Sequence, residues 1–156
     1  MAVDTPKLLS ELRAIVRARV DRAKSLKQIA ELLKFAGNYR WVGLYDVDHP
    51  AGLVKNIVWS GPAAPEYPIF PITKGLTGAT ISTGRTIKVG NVAADPRYLT
   101  AFGSTRSEII VPVFDASGKV VIGTIDVESE FENAFDDEAQ SFLEGCSKAI
   151  QSLWQT

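Results

Sequence analysis

The chain has 156 residues, of which 46% are hydrophobic and 22% charged, and a formal charge of −1. That composition fits one globular domain with one core and gives no overall basic signal for nucleic acid. One cysteine, Cys146, and one histidine, His49, argue against an internal disulfide, a multi-cysteine zinc site and a histidine-based triad, so neither metal nor cofactor is expected.

In chain order, Thr5-Pro6 reads as an N-cap with proline at the first helical position. Leu8, Leu9, Leu12, Ile15, Val16 and Val20 follow at helical spacing. Ser25-Leu26-Lys27-Gln28 has the form of a capping box, opening a second stretch that Gly37-Asn38 ends. Residues 1–38 are thus one kinked helix or two in series. "YRWVGLYDV" (39–47) and "LVKNIVWS" (53–60) read as strands joined at "DHPAG". "GPAAPEYPIF" is loop or edge strand because of its prolines. Residues 72–84 suggest a short helix, "RTIKVGNV" a brief strand, and 93–105 a loop with a helical turn. Strands at 107–114 and 119–128 follow, joined at "DASGK". A helix over 135–155 closes the chain, with Asp136 as N-cap and Asp137 and Glu138 favoured in its first turn by the helix dipole.

This order predicts a single α+β domain over 1–156. A mostly antiparallel sheet within 39–128 carries the terminal helices on one face and a loop and short-helix lid, 61–105, on the other. Residues 1–40 hold nine Lys/Arg against four acids, and residues 126–156 one Lys against eight acids. The two ends are therefore expected side by side. No apolar run approaches a membrane span and the N-terminus lacks a signal-peptide core, which predicts a cytoplasmic protein without membrane or nucleic-acid partners.

Acids stand where strands begin or end: Glu108, Asp126 and Glu128. Asp126 and Glu128 share a strand face, as do Trp41 and Tyr45. Glu108 joins the acidic face only if 107–114 and 119–128 pair with an even register sum, for example Phe114 opposite Val120. Carboxylates beside aromatic faces suit an ammonium or guanidinium ligand. The competing reading is surface charge: Glu128, Glu130 and Glu132 as a solvated run, Glu108 paired with Arg106 or Arg97, Asp126 capping a turn. Trp154 is left open between core and dimer seam.

"KGLTGATISTGRTIKVGNVAADPRY" and "RSEIIVPVFDASGKVVIGTIDVES" resemble a GAF domain. Within that family, "WVGLY", "KGLTG", "SEIIVPV" and "IGTIDVES" are similar to free methionine-(R)-sulfoxide reductases. The resemblance implies that Trp41, Tyr45, Thr77, Glu108, Asp126 and Glu128 surround a small-molecule ligand, with the three acids on its ammonium group. It also places the reductases' cysteines at Tyr67, Thr77 and Ala101, so no catalytic residue carries over and Cys146 reads as a core side chain. A non-catalytic sensor for a small amine or amino-acid derivative, paired as a homodimer, is the expected function. The alternatives are a reductase-like enzyme and a dimerisation module with a decayed pocket.

Overall fold

A computed structural model describes residues 3–99 and 103–154. Arg19, at φ 49°, interrupts the N-terminal segment and leaves two helices, α1 (Thr5–Arg17) and α2 (Arg22–Gly37). α1 begins one residue, and α2 four residues, before the sequence suggests. Asp4, not Thr5, caps α1 by accepting from Lys7 N, and Asp21, not Ser25, caps α2 by accepting from Lys24 N. An aspartate carboxylate placed before each helix satisfies an amide that has no helical partner, so Ser25 is carried inside α2 and buried. Asn38 closes α2 in the left-handed conformation, as anticipated.

Six strands follow: β1 (Trp41–Asp48), β2 (Leu53–Ser60), β3 (Ile69–Pro71), β4 (Ile87–Val89), β5 (Ser107–Phe114) and β6 (Val121–Ser129). The short helix α3 (Gly75–Thr83) lies between β3 and β4, and a 3-10 turn over Val92–Ala94 follows β4. Helix α4 (Asp137–Ile150) is capped by Asp136, as its sequence predicts, but gives way to a 3-10 turn over Gln151–Leu153 rather than running to 155. The strands form one antiparallel sheet in the order β3-β2-β1-β6-β5-β4. Only the three-residue strands β3 and β4 stand at its edges, which limits open pairing surface. Among the described residues no helix is long and apolar enough to cross a membrane.

Strand alternation divides the side chains between two layers. Val42 and Leu44 of β1, Ile109, Val111 and Val113 of β5, and Ile125 and Val127 of β6 face the core formed with α1, α2 and α4. Cys146 belongs to that core and is fully buried. Their neighbours on the opposite face include Trp41 and Tyr45, which cluster with Val54 and Phe70 under the lid. The two ends of the chain do lie together, with α1 against α4 through apolar side chains such as Leu12 and Leu143. Arg22 spends its charge elsewhere, on the Asp46 carboxylate at 2.7 and 3.1 Å, and also donates to Leu153 O.

Trp154 is core: it is buried, and its Nε1 donates to Tyr45 O at 2.9 Å. Its ring lies against Gly123, where a Cβ would come within 2.1 Å of Nε1. Gly123→Ala is therefore expected to destabilise the fold by about 1–3 kcal/mol through overpacking. Gly145→Ala, in the interior of α4 where a Cβ meets nothing within 4 Å, should instead stabilise it by about 0.5–1 kcal/mol. Urea melts of the two variants check the opposite signs.

Candidate functional site

The register of β5 on β6 decides where the acids go. Glu108 stands opposite Glu128, and Ile110 opposite Asp126, an even register sum through the body of the hairpin. Near the turn the ladder slips, so that Phe114 pairs with Val121 rather than Val120. This irregularity lies beyond the acids and leaves their parity intact. On the other side of β6, β1 sets Trp41 beside Glu128, Gly43 beside Asp126 and Tyr45 beside Thr124. All three acids thus lie on the lid face, away from the main helices.

Gly43 supplies the room. A Cβ there would strike the Trp41 ring at 2.2 Å and the Tyr45 ring at 2.9 Å. Its missing side chain lets the two aromatics fold over the strand next to Asp126. Trp41 Nε1 is tied to Ala63 O of the lid at 3.0 Å. The lid also contributes Tyr98 and Thr105, whose hydroxyls donate to Glu128 Oε1 at 3.2 and 2.7 Å.

The acids are buried rather than solvated: Glu108 is 2% exposed, Asp126 6% and Glu128 0%. One carboxylate oxygen from each lies within 4.8 Å of the others. Among the described residues, Asp126 Oδ1 and Glu128 Oε2 have no hydrogen-bond donor. Among the described residues no lysine, arginine or histidine forms an ion pair with the three; Arg97 is committed to Asp95 at 2.7 Å. The surface-charge alternative for Glu108 and Asp126 therefore fails. Glu130, by contrast, is exposed and pairs loosely with Arg40.

Like charges packed together without a cation resist ionisation. Burial, then the charges of Asp126 and Glu128, hold Glu108 well above the carboxylate range. Burial lifts Asp126 to about 7, against an opposing hydrogen bond with Glu108. Burial and the charge of Asp126 also raise Glu128, although Thr105 and Tyr98 favour its anion. Their protonation is linked, because each carboxyl that ionises makes ionisation of the others harder.

A cavity of about 20 Å³ borders Glu108 and Asp126, walled by Tyr45, Phe70, Thr77 and Leu99 among others. That is room for roughly one water molecule. Thr77 is buried on this wall, and Tyr67 reaches it while staying 45% exposed. Trp41 lies behind Tyr45 in the apolar cluster. Ala101 is outside the described residues. Gly75 and Leu99 also border a wider open groove of about 710 Å³ on the far side of α3. The N-terminus of α3 has Lys74 as its N-cap, without a side-chain capping bond, and Gly75, Leu76 and Thr77 touch the cavity.

The sequence does not single out Tyr98, Thr105, Phe70 or Leu99. Each sits in or beside an irregular stretch where no period assigns a face. The one available hint is an aromatic such as Tyr98 amid loop-forming residues.

The comparisons agree with this architecture. A family model described as GAF domain matches residues 17–152. GAF domain-containing protein A of Dictyostelium discoideum is 26% identical over 145 residues, 93% of this chain and 89% of that protein. The free methionine-R-sulfoxide reductase of Saccharomyces cerevisiae is 36% identical over 77 residues, 49% of this chain and 42% of its own. The X-ray structure of the Neisseria meningitidis free methionine-R-sulfoxide reductase, in complex with its substrate, superposes with a TM-score of 0.87. It is 29% identical, with 97% of this chain and 88% of that one covered. With two aromatics and three buried acids gathered on the lid face of its antiparallel sheet, the chain belongs to the GAF domain family.

Proposed function

We propose that this domain is a binding module for a small primary amine, an amino-acid derivative above all, and that it holds the ligand without thiol chemistry. The observation that carries the reading is the trio of buried carboxylates, with which no cationic side chain among the described residues forms an ion pair. A primary ammonium has three N–H donors. Around a tetrahedral nitrogen with N···O near about 2.8 Å, three acceptors stand about 4.6 Å apart. The spacing of Glu108, Asp126 and Glu128 suits that arrangement. Tyr45 on the cavity wall and Trp41 behind it supply aromatic faces that attract a cation. The uncapped start of α3 borders the same cavity and favours an anion. Together they suit the two charged ends of an amino acid. The cavity as it stands is too small for such a ligand, so entry requires side chains of the lid, Tyr67 and Leu99, to give way.

The reductase reading is favoured by the Neisseria and yeast relatives. Against it stands the only thiol. Cys146 lies in the helix core across the sheet from the acids, and burial pushes it up to about 12. A thiol so placed is neither ionised nor within reach of the cavity. Thr77 and Tyr67 border the cavity instead, and neither hydroxyl performs thiol redox chemistry. A homodimer along the outer edges of α1 and α4, with signalling through a separate chain in the cytoplasm, completes the proposal.

Three outcomes are expected. In thermal-shift or chemical-melt measurements, a primary amine at a hundred times its dissociation constant adds about 2.7 kcal/mol of stability. Asp126→Asn weakens that ligand by roughly 1.5–3 kcal/mol, the worth of a charged hydrogen bond; an unchanged affinity would remove Asp126 from the site. Second, the ligand-free protein responds to pH with a definite sign. Asp126 keeps its proton up to about 7 when folded, but gives it up near about 4 when unfolded. Ligand-free stability therefore falls as pH rises across that window. Asp126→Asn, which has no proton to lose, should be more stable than the parent at pH 8 and gain nothing at pH 4, as urea midpoints will show. Third, no reduction of free methionine sulfoxide is expected in a thiol-coupled assay. Turnover abolished by Cys146→Ser would restore the enzyme reading.

A further inference from the structure

The open groove along α3 adjoins the buried cavity, and its lining says what kind of chain an amine held at the acids would carry. We propose that the domain binds short peptides by their free N-terminus, with the residues after the first lying in this groove. This inference rests on the amine reading and narrows it from small amines in general to N-terminal amines followed by a peptide chain.

Three residues join the groove to the acids. Gly75 and Leu99 border both the groove and the cavity. Tyr98 lines the groove, and its hydroxyl donates to Glu128 Oε1 at 3.2 Å. The cavity holds about 20 Å³, so an amine bound there must project its remaining atoms outward. Leu99 is half-buried and packs on the apolar cluster of Trp41 and Tyr45. When its side chain turns aside, the adjoining space is the groove of about 710 Å³, a size in the range of small-molecule sites, about 300–1,000 Å³.

The shape of the groove suits a backbone. Gly75, Gly78, Ala79 and Ser82 of α3 are spaced i, i+3, i+4 and i+7, which is one helix face, and all four line the groove. No side chain on that face is larger than that of serine, so a second backbone can lie close against the helix. Gly78 has no room for more, because a Cβ there would meet the Thr73 carbonyl carbon at 2.6 Å. From Gly75 to Ser82 the face runs about 10 Å, the length of about three extended residues. The start of α3 lacks a side-chain cap, and its backbone N–H groups suit the carbonyl of the first peptide bond as well as a free carboxylate. Among the described residues that line the groove none is acidic, and Lys74 there is exposed and without an ion pair. The groove therefore favours a neutral or anionic tail and disfavours a second cation, which argues against diamines and polyamines.

The test titrates the full chain by calorimetry with alanine, dialanine, trialanine, tetra-alanine, N-acetyl-trialanine and putrescine. The expected result is affinity that rises at least about tenfold from alanine to tetra-alanine, is lost on N-acetylation, and is no higher for putrescine than for alanine. Ser82→Trp and Ala79→Leu each fill the groove from the helix side and should bring tetra-alanine down to the affinity of alanine. Circular dichroism establishes that both variants are folded. Equal affinity for alanine and its peptides, tighter binding of putrescine than of tetra-alanine, or a peptide gain that survives in both variants overturns this inference and leaves the amine reading standing. Peptide binding that is indifferent to N-acetylation, or no binding of any of these compounds, overturns both.

Discussion

Everything distinctive about this domain depends on the register of one hairpin. With Glu108 opposite Glu128, the β5–β6 pair sends Ile109, Val111, Ile125 and Val127 into the helix core and all three acids to the lid face. A slip of one residue would exchange the layers, placing carboxylates under α4 and valines in the cavity. The apolar half of the pattern pins the register, because burying each of those side chains is worth about 1.5–3 kcal/mol. The acids follow as passengers into a place they would not choose. The polar site is thus held in position by hydrophobic burial on the other side of the same strands.

The lid supplies the rest of the enclosure, and it does so through polar contacts. Trp41 is anchored to Ala63 O, and Glu128 is held by Tyr98 and Thr105. Gly75, at φ 71°, begins α3 in a conformation that suits glycine, and a Cβ there would press to 3.0 Å from the Leu99 Cβ. Both residues border the buried cavity and the open groove outside α3.

The strands were legible in the sequence because aromatic and β-branched residues crowd Trp41–Val47 and Ile109–Val113, and spacing along a strand put Trp41 with Tyr45, and Asp126 with Glu128, on one face. The N-cap of α4 was legible at Asp136, a carboxylate directly before an amphipathic run. The N-terminal caps were misplaced because Thr5-Pro6 and the Ser25 box offer plausible signals within a few residues of stronger aspartates. What escaped entirely was the depth of the site. Alternation assigns Asp126 and Glu128 to one face, adds Glu108 only in an even register, and does not say which residues of the 61–105 lid touch the acids. Tyr98 and Thr105 come from a stretch without periodicity, so their approach to Glu128 is a fact of tertiary structure alone.

The burial of three acids with no countercharge beside them among the described residues also has a consequence for the life of the chain. A domain that keeps repelling carboxylates inside its own interior opens more readily when empty than when a cation sits among them. Opened chains are what cellular proteases remove, and a difference of one or two kcal/mol changes abundance several-fold. On the proposed function, occupancy of the site would set how long each copy survives, and the amount of the protein would record how much of its ligand had been present.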